Sequence, residues 1–204
     1  MTRRLLLASR SRHKVAELQA LLGLDDVVLV TPDEVGVEGV PVEDADSFEG
    51  NARIKVRYYA ERSGLPTLAD DSGLEVDALD GAPGVYTKRY AGPEATDEDN
   101  NSKLLGELEG LPAEQRGARY ECVLAFLDPS VGGDPVCRAG SFEGRIASER
   151  RGSGGFGYDP IFEPAGEAPG GRTVGQMSSE EKHGLSHRGQ AARAMAEYLE
   201  GEGW

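Results

Sequence analysis

The feature that most constrains this fold is a short apolar run that passes directly into a helical pattern. Residues 4–8 read RLLLA and are typical of a buried β-strand. Val15, Leu18 and Leu22 follow at i, i+3 and i+7, which places them on one face of an α-helix. A strand that feeds a helix in this way indicates an α/β protein.

Both patterns recur along the 204 residues, with no internal repeat and no linker long enough to separate independent domains. Asp46 and Glu49 have the spacing of a capping box, which predicts the start of a second helix that ends before Gly64. We predict strands over residues 26–30, 66–69, 74–79, 118–127 and 135–143, and helices over residues 47–63, 96–109 and 190–200.

The composition limits the class of protein. Hydrophobic residues make up 38% of the chain and charged residues 28%, which is typical of a soluble globular protein. No apolar run approaches the ~20 residues that span a bilayer. The apolar part of the N-terminal stretch MTRRLLLASR is too short for a signal peptide. We therefore expect a cytoplasmic protein with no membrane partner.

The net charge of −14 argues against several kinds of partner. A field of that sign repels DNA and RNA backbones, so we expect no polymeric nucleic acid. Cys122 and Cys137 lie in strand-like runs and are interpreted as buried small hydrophobes, while three scattered histidines argue against a zinc site. A small polyphosphate is compatible with the chain where basic residues or a cation reverse the field locally.

Two adjacent aspartates, Asp70 and Asp71, lie at the end of a predicted strand. Like charges repel, so either the pair belongs to a solvated Asp-Asp-Ser-Gly turn or a positive group lies beside it. With Glu43, Glu49 and Asp77 within reach, these carboxylates have the oxygen ligands that Mg²⁺ prefers and shares with substrate phosphates. Ligands bind at strand ends in α/β proteins, which favours the metal site over the turn.

The segment SRSRHK at residues 9–14 joins the first strand to the first helix. The first turn of a helix offers unpaired N–H groups and a positive dipole end, and both attract phosphate. Arg10, Arg12 and Lys14 add positive charge in an otherwise acidic chain. A capped helix with solvated basic residues is the alternative, and this segment alone does not decide between the two.

Two segments nearer the C-terminus combine aromatic and polar groups. In FGYDP, residues 156–160, the ring of Phe156 either stacks on a base or packs in the core. The segment SSEEKHGLSHRG, residues 178–189, either supplies hydrogen-bond donors to a ligand or forms an ordinary surface helix and loop. Its donors are Lys182, His187 and Arg188.

Taken in this order, the segments resemble the inosine triphosphate pyrophosphatase family, the non-canonical purine triphosphate pyrophosphatases also called Ham1-like or dITP/XTP pyrophosphatases. The resemblance runs nearly from end to end, and the stretch DDSGLEVDALDGAPGVYTKRYAG is its longest and most specific part. The other matching segments are LLLASRSRHKVAEL, SFEGNARIK, SGGFGYDPIF and EEKHGLSHRGQA.

The resemblance implies both a fold and an activity. The fold is one α/β domain over residues 1–204, with an elongated mixed β-sheet, flanking helices and two lobes around a central cleft. The activity is hydrolysis of ITP, dITP and XTP to the monophosphate and pyrophosphate with Mg²⁺, which cleanses the nucleotide pool. The resemblance also implies a homodimer.

The matching motifs imply roles for individual residues. Asp71 would be the catalytic general base, and Glu43, Asp70 and Asp71 would be the metal ligands. Residues of FGYD with Lys182, His187 and Arg188 would select the base, because hypoxanthine and xanthine carry a 6-oxo acceptor where adenine carries an amino donor. The substrate-binding residues implied in this way are Ser9, Arg10, Ser11, Arg12, His13, Lys14, Asn51, Lys55, Ser72, Phe156, Gly157, Tyr158, Asp159, Lys182, His187 and Arg188.

Two other functions stay open at this point. Ser11 stands where the family usually has asparagine, and this start is similar to that of the septum-inhibitor (Maf-like) pyrophosphatases, which act on modified pyrimidine triphosphates. The DDSG block argues against that assignment. A regulatory nucleotide-binding module without catalysis is the second alternative. The intact set of Lys14, Glu43, Lys55, Asp70 and Asp71 argues against it.

Overall fold

The computed structural model describes residues 3–24 and 27–204, apart from the side chains of Arg12 and His13. Residue 26 of the second predicted strand lies outside the described residues. The strands are β1 (Arg3–Leu7), β2 (Val27–Val30), β3 (Thr67–Val76), β4 (Gly117–Leu127), β5 (Val136–Ile146) and β6 (Phe162–Pro164). The helices are α1 (Arg12–Leu22), α2 (Phe48–Ser63), α3 (Asp97–Glu107), α4 (Ser179–Leu185) and α5 (His187–Gly201).

The strands form one mixed sheet in the order β2-β1-β3-β4-β5-β6. Strand β1 runs parallel to both β2 and β3, with Leu5 opposite Leu29, whereas β5 and β6 are antiparallel. Parallel strands need crossover connections, and α1 and α2 supply them. The prediction of an α/β fold with a mixed sheet and flanking helices is confirmed.

The chain forms two compact units, each with its own hydrophobic core. Unit 1 comprises residues 3–71, 122–140 and 188–204, and its core includes Leu5, Leu68 and Met195. Unit 2 comprises residues 72–121 and 141–187, and its core includes Leu74 and Phe162. A single domain with two lobes around a cleft stays a prediction.

The structure corrects the prediction for the segment around the aspartate pair. One strand, β3, runs through Asp70 and Asp71, where two separate strands had been expected with the aspartates at the end of the first. Nearly all side chains on both faces of β3 are buried, so the segment lacks the apolar/polar alternation that marks a half-buried strand. The aspartates therefore lie inside a strand, and neighbouring side chains of a strand point to opposite faces.

Two helix starts also differ from the predictions. Ser47, and not Asp46, is the N-cap of α2, because its hydroxyl accepts a hydrogen bond from the Gly50 N–H at 3.2 Å. Helix α5 begins at His187, three residues before the predicted start. In the described part of the chain, no helix combines the length and apolarity that a membrane span requires.

Candidate active site

Asp70 is the most enclosed carboxylate of the site. Its Oδ1 lies 2.5 Å from the Lys14 Nζ at the start of α1, and its Oδ2 lies 3.2 Å from the Arg188 Nε at the start of α5. The Cys122 thiol of β4 donates a longer hydrogen bond to the same Oδ2, at 3.5 Å. The side chain of Asp70 is 1% exposed. Three elements that are distant in sequence thus converge on one buried anion.

A second carboxylate completes the environment of Arg188. Glu17 of α1 accepts a hydrogen bond from the Arg188 Nη1 at 2.6 Å, and both side chains are buried. A buried charge is tolerated only when it is paired, and here one guanidinium serves two carboxylates. Burial opposes the ionisation of Asp70, but the charges of Lys14 and Arg188 outweigh it and hold the Asp70 pKa well below its usual range.

Asp71 has a different environment from its neighbour. Its Oδ1 lies 2.7 Å from the Lys55 Nζ of α2, and the same Nζ lies 3.1 Å from the Glu43 Oε2. Burial raises the Asp71 pKa above its usual value, and the charge of Lys55 offsets this only in part. The Lys55 pKa is raised because three carboxylates outweigh the effect of burial.

The two aspartates are therefore chemically distinct although they are adjacent. Asp70 is a permanent anion that neutralises two cations, whereas Asp71 has a raised affinity for protons. A pair of carboxyl groups with pKa values pushed apart is the usual arrangement when one must accept or give a proton. Asp71 is the member suited to be a general base.

The predicted three-carboxylate metal site is not assembled in this arrangement. Asp70 and Asp71 face opposite sides of β3, and the described residues contain no group of three histidines, cysteines or carboxylates placed to hold a metal ion. Glu49 pairs with Arg53, and Asp77 pairs with Arg119. Metal binding by Glu43, Asp70 and Asp71 stays a prediction.

Two carboxylates nevertheless fit a divalent cation. Glu43 and Asp71 converge on one amine, and Mg²⁺ in nucleotide sites typically takes one or two protein carboxylates. In the described part of the cluster three cations are in contact with four carboxylates, so its formal charge is −1. A triphosphate needs added positive charge to bind there. The cations are Lys14, Lys55 and Arg188, and the carboxylates are Glu17, Glu43, Asp70 and Asp71.

The basic segment before α1 contributes less free charge than its sequence suggests. The Arg10 guanidinium bonds to Asp33 at 2.9 Å, to the Gly39 and Val37 carbonyls at 2.7 and 2.8 Å, and to the Tyr59 hydroxyl at 3.2 Å. Arg10 therefore holds the loop after β2. Its predicted contact with phosphate would require these bonds to be given up.

The two serines of this segment order its backbone. Ser9 Oγ accepts a hydrogen bond from the Ser11 N–H at 3.2 Å, and Ser11 is the N-cap of α1. The Ser11 hydroxyl accepts from the Lys14 N–H at a long 3.5 Å. The predicted roles of Arg12 and His13 fall on side chains outside the described part of the chain.

Asn51 lies in the first half of α2, one turn before Lys55. Its side chain is buried, and its Oδ1 accepts a hydrogen bond from the Ala45 N–H at 3.1 Å. The amide thus anchors the end of the loop that carries Glu43. Ser72, the other predicted phosphate ligand, follows Asp71 along β3 and is half-buried.

In unit 2, Asp159 organises the loop predicted to recognise the base. Its Oδ2 accepts hydrogen bonds from the Lys182 Nζ at 2.6 Å and from the Phe156 N–H at 2.9 Å. The Tyr120 hydroxyl approaches its Oδ1 at 3.4 Å. Asp159 is 2% exposed, so its carboxylate serves protein groups.

Aromatic rings lie beside the donors of this loop. The Lys182 Nζ is 4.4 Å from the centre of the Phe156 ring, a cation–π contact. The His187 imidazole stacks on Tyr120 with ring centres 4.8 Å apart and planes within 7°. The structure thus groups Phe156, Lys182 and His187 in unit 2, whereas Arg188 lies with Asp70 in unit 1.

Sequence reasoning missed several residues that support the site. Glu17, Cys122 and Tyr120 contact predicted site residues, but each lies in the middle of a predicted helix or strand with no local motif to mark it. The contact of Arg188 with Asp70 spans 118 positions of sequence. Only the fold brings such pairs together.

Comparison with known proteins gives a consistent match over the chain. The sequence model of the Ham1 family matches residues 5–198. A dITP/XTP pyrophosphatase of Methylococcus capsulatus is 47% identical, over 98% of this chain and 97% of the relative.

Solved structures agree with the sequence matches. A HAM1 protein from Coxiella burnetii has a TM-score of 0.87 and 40% identity, over 97% of this chain and 98% of that one. A nucleoside-triphosphatase / dITP/XTP pyrophosphatase from Mycobacterium abscessus has a TM-score of 0.77 and 42% identity, over 94% and 98% of the two chains.

Proposed function

Because this chain belongs to the Ham1 family, we propose that it hydrolyses the non-canonical purine triphosphates ITP, dITP and XTP to the monophosphate and pyrophosphate. Its role is then to clear such nucleotides from the pool. The observation that carries the proposal is the aspartate pair of β3, in which Asp70 contacts Lys14 and Arg188 while Asp71 contacts Lys55, so that their pKa values shift in opposite directions. The names of the relatives supply the substrate class.

Asp71 acts as the general base in this mechanism. It takes a proton from the water that attacks the anhydride between the α and β phosphorus atoms, and the bond to pyrophosphate breaks. Burial raises the pKa of Asp71, which makes its carboxylate a better proton acceptor, and Lys55, at 2.7 Å, holds that carboxylate in place. Most of the catalysis of phosphoryl transfer is positioning and neutralisation of charge.

The phosphates are bound by the cations and hydroxyls around the pair. Lys14, which is partly exposed, and Lys55, which is buried, carry the charge, while Ser9 and Ser72 supply hydroxyl groups. Asp70 holds the Lys14 and Arg188 side chains in place through its two ion pairs. Glu43 and Asp71 would hold Mg²⁺, which would offset the charge that the triphosphate brings to a cluster of formal charge −1.

Base selection falls to the loop of unit 2, with Arg188 as a further donor. Donors at the 6-position of the purine match the oxo group of hypoxanthine and xanthine. The amino group of adenine leaves a donor facing a donor, and a buried donor without an acceptor is costly. Lys182 and His187 are the donors beside Phe156, whose ring offers a face for stacking.

Three further expectations accompany the activity. The substrate is a small nucleotide, the assembly is a homodimer, and the compartment is the cytoplasm. Size-exclusion chromatography with light scattering measures the molar mass and so tests the assembly, since a dimer has twice the mass of the 21.8 kDa chain.

The test is pyrophosphate release from ITP, XTP, dITP, GTP and ATP, with Mg²⁺ and with EDTA. We expect metal-dependent turnover of the first three, weak turnover of GTP and ATP, and a loss of about 10²–10⁴-fold in Asp71→Asn. Asp80→Asn removes the same charge in an exposed turn and is the matched control. Absence of turnover with every purine would overturn the proposal, and turnover of modified pyrimidines instead would favour the Maf-like alternative.

A further inference from the structure

Helix α3 holds the base-recognition loop through both backbone groups of one residue. The Asp97 Oδ2 accepts a hydrogen bond from the Gly157 N–H at 2.7 Å, and the Asn101 Nδ2 donates one to the Gly157 carbonyl at 3.0 Å. Asp97 and Asn101 are four residues apart and therefore share a face of α3. Two side chains of one rigid helix thus fix the peptide groups on either side of Gly157.

The burial of Asn101 indicates that its hydrogen bond has a specific purpose. The residue is 3% exposed, and its Oδ1 has no hydrogen-bond partner among the described residues. An amide that leaves one buried acceptor unpaired is costly compared with an apolar side chain. The bond from its amino group to Gly157 is the only hydrogen bond described for this side chain. This bond therefore explains why an asparagine, and not an apolar residue, occupies the buried position.

The two bonds from Asp97 and Asn101 to Gly157, which we call the α3 clamp, act on a glycine with a left-handed backbone conformation. Its φ is +63°, a left-handed conformation that glycine adopts without strain, so Gly157 is a point of backbone freedom in the loop that outside contacts can restrain. The neighbouring residues are fixed from other directions. The Phe156 N–H donates to Asp159, and the Tyr158 hydroxyl donates to the Thr87 carbonyl at 2.8 Å. The α3 clamp therefore fixes the centre of the loop.

We propose that Asp97 and Asn101 are positioning residues for base recognition, and that they set the selectivity between 6-oxo and 6-amino purine triphosphates without touching the substrate. The inference rests on the proposed function, because it assumes that the Phe156 ring and Lys182 meet the base. A displacement of about 1 Å in a binding group is enough to cost large factors in rate or affinity. Loss of the clamp frees Gly157 and misplaces the ring of Phe156 next to it.

The adjacent Asn100 provides a matched control. It is equally buried in α3, and its amide also donates to a backbone carbonyl, but in another segment. Its Nδ2 donates to the Lys88 carbonyl at 3.1 Å, and its Oδ1 accepts from the Ala91 N–H at 2.8 Å. Asn100→Ala therefore reports the cost of losing a buried asparagine from α3 without loss of the clamp on Gly157.

The experiment measures kcat and KM for ITP and ATP in wild type, Asn101→Ala, Asn101→Asp and Asn100→Ala, with Tm for each variant. We expect both Asn101 variants to raise the KM for ITP about 10-fold and to lower the ITP/ATP ratio of kcat/KM about 10-fold, which is the effect of one hydrogen bond. Their kcat for ITP should stay within about 3-fold. Asn100→Ala should lower Tm by a similar amount and leave the ratio within about 2-fold.

A second pair of variants tests the other half of the clamp. Asp97→Asn keeps an acceptor oxygen for the Gly157 N–H, whereas Asp97→Ala removes it. We expect Asp97→Ala to lower the ITP/ATP ratio and Asp97→Asn to restore most of it. Because Asp97 is exposed at the start of α3, these variants also test the clamp if Asn101 variants fold poorly.

The outcomes separate this inference from the proposed function. An active, ITP-selective wild type whose clamp variants keep the same ratio would overturn the clamp alone. An equal shift of the ratio in Asn100→Ala would also overturn it, since the effect would then be general to α3. A wild type that turns over no purine triphosphate would overturn the proposed function and the inference with it.

Discussion

At the scale of single residues, the site depends on two aspartates with opposite electrostatic roles. Asp70 neutralises Lys14 and Arg188, so its removal takes away the described partner of Lys14 and leaves the buried Arg188 with one carboxylate fewer. We expect Asp70→Asn to lower the free energy of unfolding by about 3–5 kcal/mol, as measured by urea denaturation. The exposed Asp80→Asn should change it by less than about 0.5 kcal/mol. A stable Asp70→Asn would contradict the pairing described here.

The same residue predicts how stability depends on pH. The Asp70 pKa is lower in the folded chain than its unfolded value of about 3.9, so its contribution is complete above that value. The contribution is lost as the pH falls below about 4 towards the folded pKa. We expect the stability difference between wild type and Asp70→Asn to shrink over this acidic range, in urea titrations at each pH.

The activity should follow Asp71 instead. A general base must be deprotonated, and burial raises the Asp71 pKa above its usual value. The acid limb of kcat/KM for ITP should therefore have its midpoint above about pH 4, and activity should rise with pH through it. The control Asp80→Asn should keep that limb. A limb at or below the ordinary aspartate pKa would assign the base to another group.

At the scale of elements, local chemistry predicted more than long-range contacts did. The apolar runs of β1, β4 and β5 and the stripe of α1 carry their periodicity in the sequence, and their elements are found within a few residues. The capping box of Thr96 and Asp99 is present at the start of α3. Strand β3 could not be predicted as one strand, because burial on both faces removes the alternation.

The start of α2 gives a test at this scale. Ser47 caps the helix that carries Asn51 and Lys55, so we expect Ser47→Ala to lower the free energy of unfolding by about 1 kcal/mol. Asp46→Ala should lower it by less than about 0.5 kcal/mol, although the sequence favoured Asp46 as the cap. Urea denaturation measures the loss in free energy of unfolding for both variants. A larger loss in Asp46→Ala than in Ser47→Ala would support the capping box of Asp46 and Glu49.

At the scale of the whole molecule, the charge of −14 governs the approach of small ions. A negative field attracts Mg²⁺ and repels a free triphosphate, and salt weakens both effects. Between about 10 mM and about 150 mM salt the Debye length falls from about 30 Å to about 8 Å. The Mg²⁺ concentration for half-maximal activity should rise over this range. A salt-independent value would show that local contacts alone determine metal binding.

The sequence identified the residue types of the site better than their partners. Lys14 and Lys55 form ion pairs with the two aspartates, whereas Arg10 bonds to the loop after β2. The binding and catalytic roles of these residues stay predictions. Arg188 is proposed as a base-recognising donor, and no motif in the sequence indicated that it also pairs with Asp70. Such pairings depend on the packing of distant elements, and a single sequence contains no local signal for them.

The carboxylates of Asp70 and Asp71 point to opposite faces of β3 because the two residues are adjacent in the strand. Odd and even positions of a strand face opposite sides, so the deletion of one residue between Thr67 and Asp70 would turn each aspartate to the other face of the strand. The altered chain would keep both acidic groups and the same charge, yet Asp71 would take the place of Asp70, and Ser72 would take the place beside Lys55. Because the two side chains are identical, the position of each aspartate along the strand alone determines which one is the structural anion and which one is the proposed base.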